Sequence, residues 1–188
     1  DGTGLTFLGW FDALAGGTEY QGTETFTANK TLYAHWDGWY CDAQGTLTIA
    51  GSGPMDDYYY GASSIPGYYA PWDSVASDVQ EVVIKEGVTT IGKRAFYSYD
   101  NYWNSTTYPN IKKVSIPDSV TSIGESTFQS CSALTSVTIP DSVTSIGSSA
   151  FQGCSALTSV TIPNGVTSIG SYTFQSCSGL TSVTIPDS

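Results

Sequence analysis

The sequence predicts a solenoid, mainly β, with a parallel sheet on one face, short strands and single helical turns on the other faces, and an aromatic-rich β cap at the N-terminus. Three observations lead to this prediction. One phrase recurs about every 23 residues in the second half of the 188-residue chain. Within the phrase, apolar residues alternate with Ser or Thr, as in half-buried strands. Isoleucine, glycine and phenylalanine each return at one fixed place in the phrase, which indicates stacked coils.

The repeated residues fall into columns, so that each phrase is one coil. The last three isoleucine steps are 23 residues long and the first is 32 residues long. A single coil buries too few side chains to offset the entropy lost on ordering its backbone, so the coils must stack into one continuous core. The columns consist of Ile84, Ile116, Ile139, Ile162 and Ile185; of Gly92, Gly124, Gly147 and Gly170; and of Phe96, Phe128, Phe151 and Phe174.

Each coil is predicted to begin with a short strand. Residues 137–139 alternate Val-Thr-Ile, which places Thr138 on the outer face. Pro140 cannot donate a ladder hydrogen bond and ends the strand. Residues 143–147 predict a second extended run closed by a glycine, and Ser148 is placed to cap a single helical turn.

The repeated pattern L-x-x-V-x-I-P-x-x-V-x-x-I-G-x-x-x-F-x-x-C resembles the BspA-like (Treponema pallidum-type) leucine-rich repeat. The resemblance covers about residues 79–188 and implies a leucine-rich-repeat solenoid from a bacterial surface or secreted protein, with roles in adhesion to host or neighbouring cells. The first copy departs from the pattern, with Lys85 in place of the proline, Tyr99 in place of the cysteine and an insertion before Ile111. One full copy is formed by Leu134, Val137, Ile139, Pro140, Val143, Ile146, Gly147, Phe151 and Cys154.

Residues 5–36 alternate Thr, Phe, Leu and Tyr between Gly-Gly and Ala-Asn-Lys breaks, which predicts three short strands. The distinctive positions are Phe7, Gly9, Trp10, Gly16, Gly17, Thr31, Leu32, Tyr33, Ala34 and Trp36. They resemble the second half of a Listeria–Bacteroides repeat, a small β-grasp-like module of bacterial surface proteins. We therefore predict a partial module at 1–37.

Residues 38–78 are predicted to form the N-terminal cap, followed by the repeats at 79–188. Residues 45–50 predict a strand, and a solenoid needs an atypical terminal unit to cover its first coil. A ligand pocket is the alternative use of the aromatic side chains in this segment. These are Trp39, Tyr40, Tyr58, Tyr59, Tyr60, Tyr68, Tyr69 and Trp72.

Cys131, Cys154 and Cys177 recur at 23-residue intervals and should stack on successive coils. Strands in a sheet lie about 4.8 Å apart. That spacing permits a disulfide, but side chains in one column run parallel instead of pointing at each other. A straight row of three thiols also lacks the four tetrahedral ligands of zinc. We predict a buried ladder of free thiols, with redox or metal use as the alternative, and an unpaired Cys41.

The charge balance excludes some partners. The chain has 17 acidic and 6 basic residues and a formal net charge of −11, whereas nucleic acid and anionic membranes need a cationic surface. No apolar stretch is long enough to insert in a bilayer. The Ser-, Thr-, Gly- and Tyr-rich composition suits an extracellular or bacterial cell-surface location. The chain breaks off at Ser188 within a coil, so we expect end-to-end self-association through that uncapped coil.

The sequence predicts no catalytic residues, no metal site and no cofactor. His35 is the single histidine, and no nucleophile-elbow sequence accompanies it. Residues 51–53, Gly-Ser-Gly, continue into Pro54 instead of a helix with lysine, so they are not a phosphate loop. Four of the carboxylates in the segment before the repeats could form a glycosidase pair or a weak Ca²⁺ site, or simply solvate loops. They are Asp56, Asp57, Asp73 and Asp78.

We therefore predict a non-catalytic binding or adhesion module that recognises a protein or glycan of the host or of neighbouring cells. The alternatives are a structural stalk that displays another domain and, third, a glycan-processing enzyme. Solenoids present extended faces to large ligands. In the first strand of each coil, two positions face outward, and in the first coil these are Glu81 and Val83. In the later coils the outward residues are mostly small and hydroxylated, which predicts a flat polar ribbon. The ribbon consists of Lys113, Ser115, Ser136, Thr138, Ser159, Thr161, Ser182 and Thr184.

Residues 97–110 interrupt the 23-residue rule and hold five aromatic residues among Asp, Asn, Ser and Thr. Loops of this composition serve recognition, and aromatic rings suit the apolar faces of sugars. The alternative is that these rings fold over the cap and bury its edge. The candidate binding residues are Tyr97, Tyr99, Tyr102, Trp103 and Tyr108.

Overall fold

The computed structural model describes residues 4–11, 19–20, 33–59, 70–100 and 105–186, with side chains at 38–59, 70–98 and 107–186. In this part of the chain, no helix has the length and apolar character that a membrane crossing needs. The described elements are one short 3-10 helix (Asp73–Val75) and the strands β1 (Gly4–Phe11), β2 (Glu19–Tyr20), β3 (Tyr33–Cys41), β4 (Thr46–Ala50), β5 (Gly53–Pro54), β6 (Glu81–Ile84), β7 (Val88–Ile91), β8 (Tyr99–Asp100), β9 (Ser105–Thr106), β10 (Lys113–Ser115), β11 (Ser122–Ile123), β12 (Ser136–Val137), β13 (Ser145–Ile146), β14 (Ser159–Thr161), β15 (Ser168–Ile169) and β16 (Ser182–Thr184).

Successive coils pair strand for strand in parallel. On one face, β4, β6, β10 and β12 are neighbours in a seven-stranded sheet, and β14 pairs with β16. On the next face, β5, β7, β11, β13 and β15 form a five-stranded sheet. The register follows the repeat, since Lys113 lies between Glu81 and Ser136. The predicted solenoid, mainly β and built from parallel coils, is confirmed.

The phenylalanine column forms the centre of the core. Phe96, Phe128 and Phe151 are fully buried. Their rings stack nearly parallel, with centroids 5.1 Å and 5.5 Å apart, and Phe174 continues the stack at 5.7 Å. Phe128 and Phe151 therefore bury both ring faces against phenylalanine rings of the neighbouring coils.

The glycine column marks the place where successive coils come closest. A Cβ added to Gly147 would lie 2.5 Å from the backbone nitrogen of Glu125. A Cβ added to Gly124 would lie 2.7 Å from the backbone nitrogen of Lys93. A side chain at either position would push two coils apart and loosen the ladders on both sides. Close packing of backbones therefore explains why the repeat needs glycine here.

The corner after each glycine differs from the single helical turn predicted at Ser148. Ser149 has a left-handed backbone conformation, with φ of 56°, which no α-helical turn accommodates. The N–H of Ser149 donates to Ser171 O at 2.9 Å, and the N–H of Phe151 donates to Thr173 O at 3.0 Å, both in the next coil. Hydrogen bonds between coils hold this corner. The same conformation recurs at Arg94, Ser126 and Tyr172.

Between the repeat coils, the hydrogen bonds at this corner and those that flank the second strands point in opposite directions along the solenoid. On the second-strand face, Thr144 N donates to Thr121 O of the preceding coil at 2.8 Å. At the corner, Phe128 N donates to Ala150 O of the following coil at 2.8 Å. Backbone hydrogen bonds thus connect neighbouring coils on several sides of the core, nearly along the solenoid axis.

The N-terminal strands extend the seven-stranded sheet. β1, β3 and β4 pair antiparallel, and β4 then pairs in parallel with β6. β3 spans residue 37, where the predicted module and the predicted cap meet. The side chains of residues 1–37, including that of His35, lie outside the described residues, so the resemblance of this segment stays a prediction.

Trp72 covers the core of the first coil. Its indole stacks on Phe96 with a centroid distance of 5.7 Å, which extends the ring column by one member. The indole Nε1 donates to Ala95 O at 2.9 Å, and Tyr58 meets the indole edge-on at 5.6 Å. Both aromatic side chains are buried. The other aromatic residues predicted for the cap include Tyr60, Tyr68 and Tyr69, which lie outside the described residues.

Candidate functional site

The predicted ribbon reaches the surface on four successive coils. Parallel pairing sets Ser159 opposite Ser182 and Thr161 opposite Thr184. Like hydroxyls therefore repeat at the strand spacing of about 4.8 Å. Ser115 is half-buried, and the exposed members are Lys113, Ser136, Thr138, Ser159, Thr161, Ser182 and Thr184.

Three exposed threonines stiffen the surface beside the ribbon. The Oγ1 atoms of Thr135 and Thr181 each donate to a carbonyl of the preceding coil at 3.1 Å, and that of Thr158 does so at 3.5 Å. These side chains are held before any ligand arrives. A ligand would therefore lose less entropy in ordering this surface than on a mobile loop.

The ribbon is charged only at its N-terminal end. Lys113 Nζ lies 2.8 Å from Glu81 Oε1, and Lys112 Nζ donates to Gln80 Oε1 at 3.3 Å. From Ser136 onward the exposed members are neutral hydroxyls. This part of the surface can recognise a ligand through hydrogen bonds and close contact, without ion pairs.

The aromatic residues of the insertion do not form one described cluster. Tyr97 is half-buried. Tyr99 lies in β8, where it pairs with Thr106 of β9, but its side chain is outside the described residues. Tyr102 and Trp103 also lie outside the described residues.

Tyr108 requires a correction, because it is a core residue and its ring is not available to a ligand. It is fully buried, and its ring meets Phe96 edge-on at 5.9 Å. Its hydroxyl donates to Asp73 Oδ1, and its N–H donates to Ser98 Oγ at 2.8 Å. The sequence spacing could have indicated this role. Tyr108 precedes Ile111 by three residues, just as each repeat cysteine precedes the leucine of the next strand by three residues, so Tyr108 occupies the place of a repeat cysteine.

The three repeat cysteines form the predicted ladder of buried, free thiols. The Sγ atoms of Cys131, Cys154 and Cys177 donate to phenylalanine carbonyls of the preceding coil at 3.3, 3.2 and 3.1 Å. Burial and then the neighbouring Cys177 raise the pKa of Cys154 to about 12. Burial also raises the pKa of Cys131 and of Cys177. Each thiol is thus a packed donor, and Cys41 is also free.

The candidate carboxylates make separate structural contacts. Asp57 Oδ1 accepts the N–H of Lys93 at 2.8 Å, and Asp73 accepts the Tyr108 hydroxyl. Asp78 is exposed and accepts a hydrogen bond from its neighbour Ser77. Among the described residues, no group of three or more His, Cys, Asp or Glu is placed to hold a metal ion.

A cleft of about 300 Å³ lies beside the cap, between β3, β4 and the segment after β5. Trp39, Tyr58 and Trp72 line it, together with residues 50–54. Asp56 is the one charged residue among its described lining. Sequence reasoning named these residues but had no means of bringing them together, since they belong to a segment without a repeat.

The chain matches known proteins in sequence and in fold. The family model for the BspA type leucine rich repeat region matches residues 74–110 and 101–188, in six copies. No curated protein matches the chain significantly in sequence.

Three solved structures support the same relationship. A leucine-rich repeat protein from Eubacterium ventriosum is 28% identical to the chain, with a TM-score of 0.60, over 79% of the chain and 37% of its own length. A leucine rich cell surface protein from Faecalibacterium prausnitzii is 32% identical, with a TM-score of 0.51, over 81% of the chain and 41% of its own length. The leucine rich repeat protein of T. pallidum is 24% identical, with a TM-score of 0.54, over 80% of the chain and 69% of its own length, and shares the fold.

The chain therefore spans well under half the length of the first two of these proteins. The family match covers more than half of the chain, and the matched residues form stacked parallel coils with one phenylalanine, one glycine and one thiol column. The chain belongs to the BspA-type leucine-rich repeat family.

Proposed function

We propose that the chain is a non-catalytic binding module of a bacterial cell-surface or secreted protein, and that it recognises a protein or glycan of the host or of neighbouring cells through the ribbon. The observation that supports this most is the alignment of exposed Ser and Thr side chains on successive coils. The cell-surface name of the Faecalibacterium prausnitzii protein supports the location.

The ribbon favours a long ligand over a compact one. A hydroxyl both donates and accepts, so rows of Ser and Thr can match repeated polar groups of either kind. The ribbon contains none of the Trp, Tyr or Arg side chains that dominate tight interfaces. Affinity then has to come from many weak contacts in register, as an extended polypeptide or polysaccharide provides.

A ribbon test compares two faces of the same coils. Thr138→Arg with Thr161→Arg places two long cations on the ribbon, whereas Thr144→Arg with Thr167→Arg places them on the second-strand side. All four threonines are exposed. We expect the first pair to abolish capture on arrays of host matrix proteins and glycans, with little change in melting temperature, and the second pair to retain it. Equal loss from both pairs, or capture unaffected by the ribbon pair, contradicts the proposal.

The stalk alternative is favoured by the lack of hot-spot residues on the ribbon. If the repeats are only a stalk, the unmodified chain should capture nothing on the same arrays above the level of a denatured control. That result would leave the structural role as the better account of the repeats.

The insertion is a second proposed contact region, through Tyr102 and Trp103. If these rings bind, Tyr102→Ala with Trp103→Ala abolishes capture and leaves the melting temperature nearly unchanged. If they form a lid, the same changes cost roughly 2–5 kcal/mol of stability, as other large-to-small core substitutions do. Urea denaturation of the double variant separates the two.

We further propose end-to-end self-association of the 188-residue chain through its last described coil. Ile169, Val183 and Ile185 are 41%, 40% and 66% exposed there. Exposed apolar side chains of this kind promote association. Val183→Lys with Ile185→Lys should shift sedimentation towards the monomer, and an unchanged profile counts against the idea.

A further inference from the structure

The cleft beside the cap is lined by aromatic side chains, which the ribbon lacks. It belongs to the segment before the repeats, so it is separate from the surface proposed above. Its volume of about 300 Å³ stands at the lower end of the range for small-molecule sites. It therefore suits a head group or a small molecule better than a chain.

Two of the walls are rigid. The rings of Tyr58 and Trp72 lie at 74° to each other, with centroids 5.6 Å apart. The Trp72 indole is fixed by its hydrogen bond to Ala95 O and by its stack on Phe96. Trp39 adds a half-buried ring from β3, where it pairs with Ile49 of β4. The aromatic surface is thus held in place by the core of the cap.

The charge around the cleft is negative. Asp56 lines it and is exposed. Burial first, and then the charges of Asp56 and Asp73, raise the pKa of Tyr58, so both carboxylates act on a wall of the cleft. The nearby basic groups are engaged elsewhere, since Lys93 lies 3.6 Å from Asp57 and Arg94 lies 3.2 Å from Glu125. None of the described lining residues is basic.

We propose that this cleft binds a small organic cation, such as a quaternary or methylated ammonium group, against the half-buried ring of Trp39, with Asp56 as the counter-ion and with the buried rings of Tyr58 and Trp72 as the rigid wall that supports the site. Aromatic faces attract cations through their quadrupole, and the attraction grows when the cation is partly desolvated. An anion would meet the unpaired negative charge of Asp56. A neutral sugar would gain contact with the rings but nothing from the carboxylate.

The test compares a cation with its uncharged isostere. Choline and 3,3-dimethylbutan-1-ol have nearly the same shape, but only choline is charged. Isothermal titration of the full chain should show saturable binding of choline and at least about tenfold weaker binding of the alcohol, because the cation–π and ionic contributions are absent. Equal binding of the two, preferential binding of a neutral sugar such as N-acetylglucosamine, or no saturable binding of choline overturns the proposal.

Three variants locate the site. Asp56→Asn should weaken choline binding about tenfold, as loss of one nearby opposite charge does. Asp57→Asn is the matched control, since that carboxylate is bonded to Lys93 and does not line the cleft, and it should leave affinity unchanged. Trp39→Leu should abolish binding while Trp39→Phe retains it, with circular dichroism confirming the fold of both. Loss of affinity in Asp57→Asn equal to that in Asp56→Asn contradicts the assignment.

Discussion

The repeat coils and the cap build the same kind of core by different means. In the coils, Phe128 is enclosed by a phenylalanine above and another below, and its whole environment returns 23 residues later. In the cap, Trp72 takes the equivalent place at the end of the ring stack. It is held by the stacked ring of Phe96, the edge-on ring of Tyr58 and one hydrogen bond. The periodic core repeats one packing arrangement in successive coils, whereas the end of the stack needs a packing arrangement that occurs only once.

This contrast predicts where substitutions act. A change within a column alters two interfaces of equal kind, one with each neighbouring coil. A change in the cap alters one interface and uncovers the first coil.

Truncating a ring should be costly in both regions. Phe128→Ala and Trp72→Ala should each lower the free energy of unfolding by about 3–5 kcal/mol, since both remove a large buried ring. Urea denaturation followed by circular dichroism is the measurement, with Phe128→Leu as a milder control that keeps most of the volume. We expect one transition in each variant. An early separate transition in Trp72→Ala would mean that the cap and the coils are not energetically coupled.

Adding one methyl group should distinguish two glycines. Gly147→Ala should cost about 3 kcal/mol, because the new Cβ meets backbone of the preceding coil. Gly53→Ala should cost about 1 kcal/mol, because Gly53 has open space around it and only its φ of 117° is unfavourable for alanine. Thermal unfolding of both variants checks the order, and a reversed order would show that the coils tolerate separation.

The thiol ladder should make stability fall at high pH. Burial raises the pKa of Cys154 to about 12, well above that of an ordinary cysteine thiol. The stabilisation is therefore complete below about pH 9 and is lost as pH rises towards 12, by up to about 1.4 kcal/mol per pH unit for one thiol. Between pH 8 and pH 10.5, unfolding free energy should fall less steeply in Cys154→Ala than in the unmodified chain. Identical slopes would show that Cys154 ionises without loss of packing.

The smallest effect is expected at the charged end of the ribbon. Lys113→Met removes the ion pair between the first two coils, and for such a surface pair we expect about 0.5 kcal/mol or less. The difference from the unmodified chain should disappear in about 1 M salt, where charges are screened within about 3 Å. A difference that persists in salt would assign the effect to lost side-chain packing.

The periodic part of the molecule could be predicted in detail from sequence, and the rest could not. The columns of Ile, Gly, Phe and Cys indicate the coil length, the buried face and the free thiols, because each of these residues recurs at the same position in several coils of one chain. The corner at Ser149 was missed because its hydrogen bonds run to another coil, beyond the reach of a local capping rule. Tyr108 was missed because the insertion hides its place in the column. The cleft depends on Trp39, Asp56 and Trp72, which no period relates.

The direction of the backbone hydrogen bonds has a mechanical consequence. Because they connect coil to coil along the axis, tension between the two ends loads the rows in sequence, so the outermost coil peels first. Each of the regular coils that detaches releases 23 residues, or roughly 80 Å of extended chain, before the next coil bears the load. Over its regular coils, a tethered solenoid of this construction lengthens in equal steps under a nearly constant force and so limits the peak load on whatever it holds.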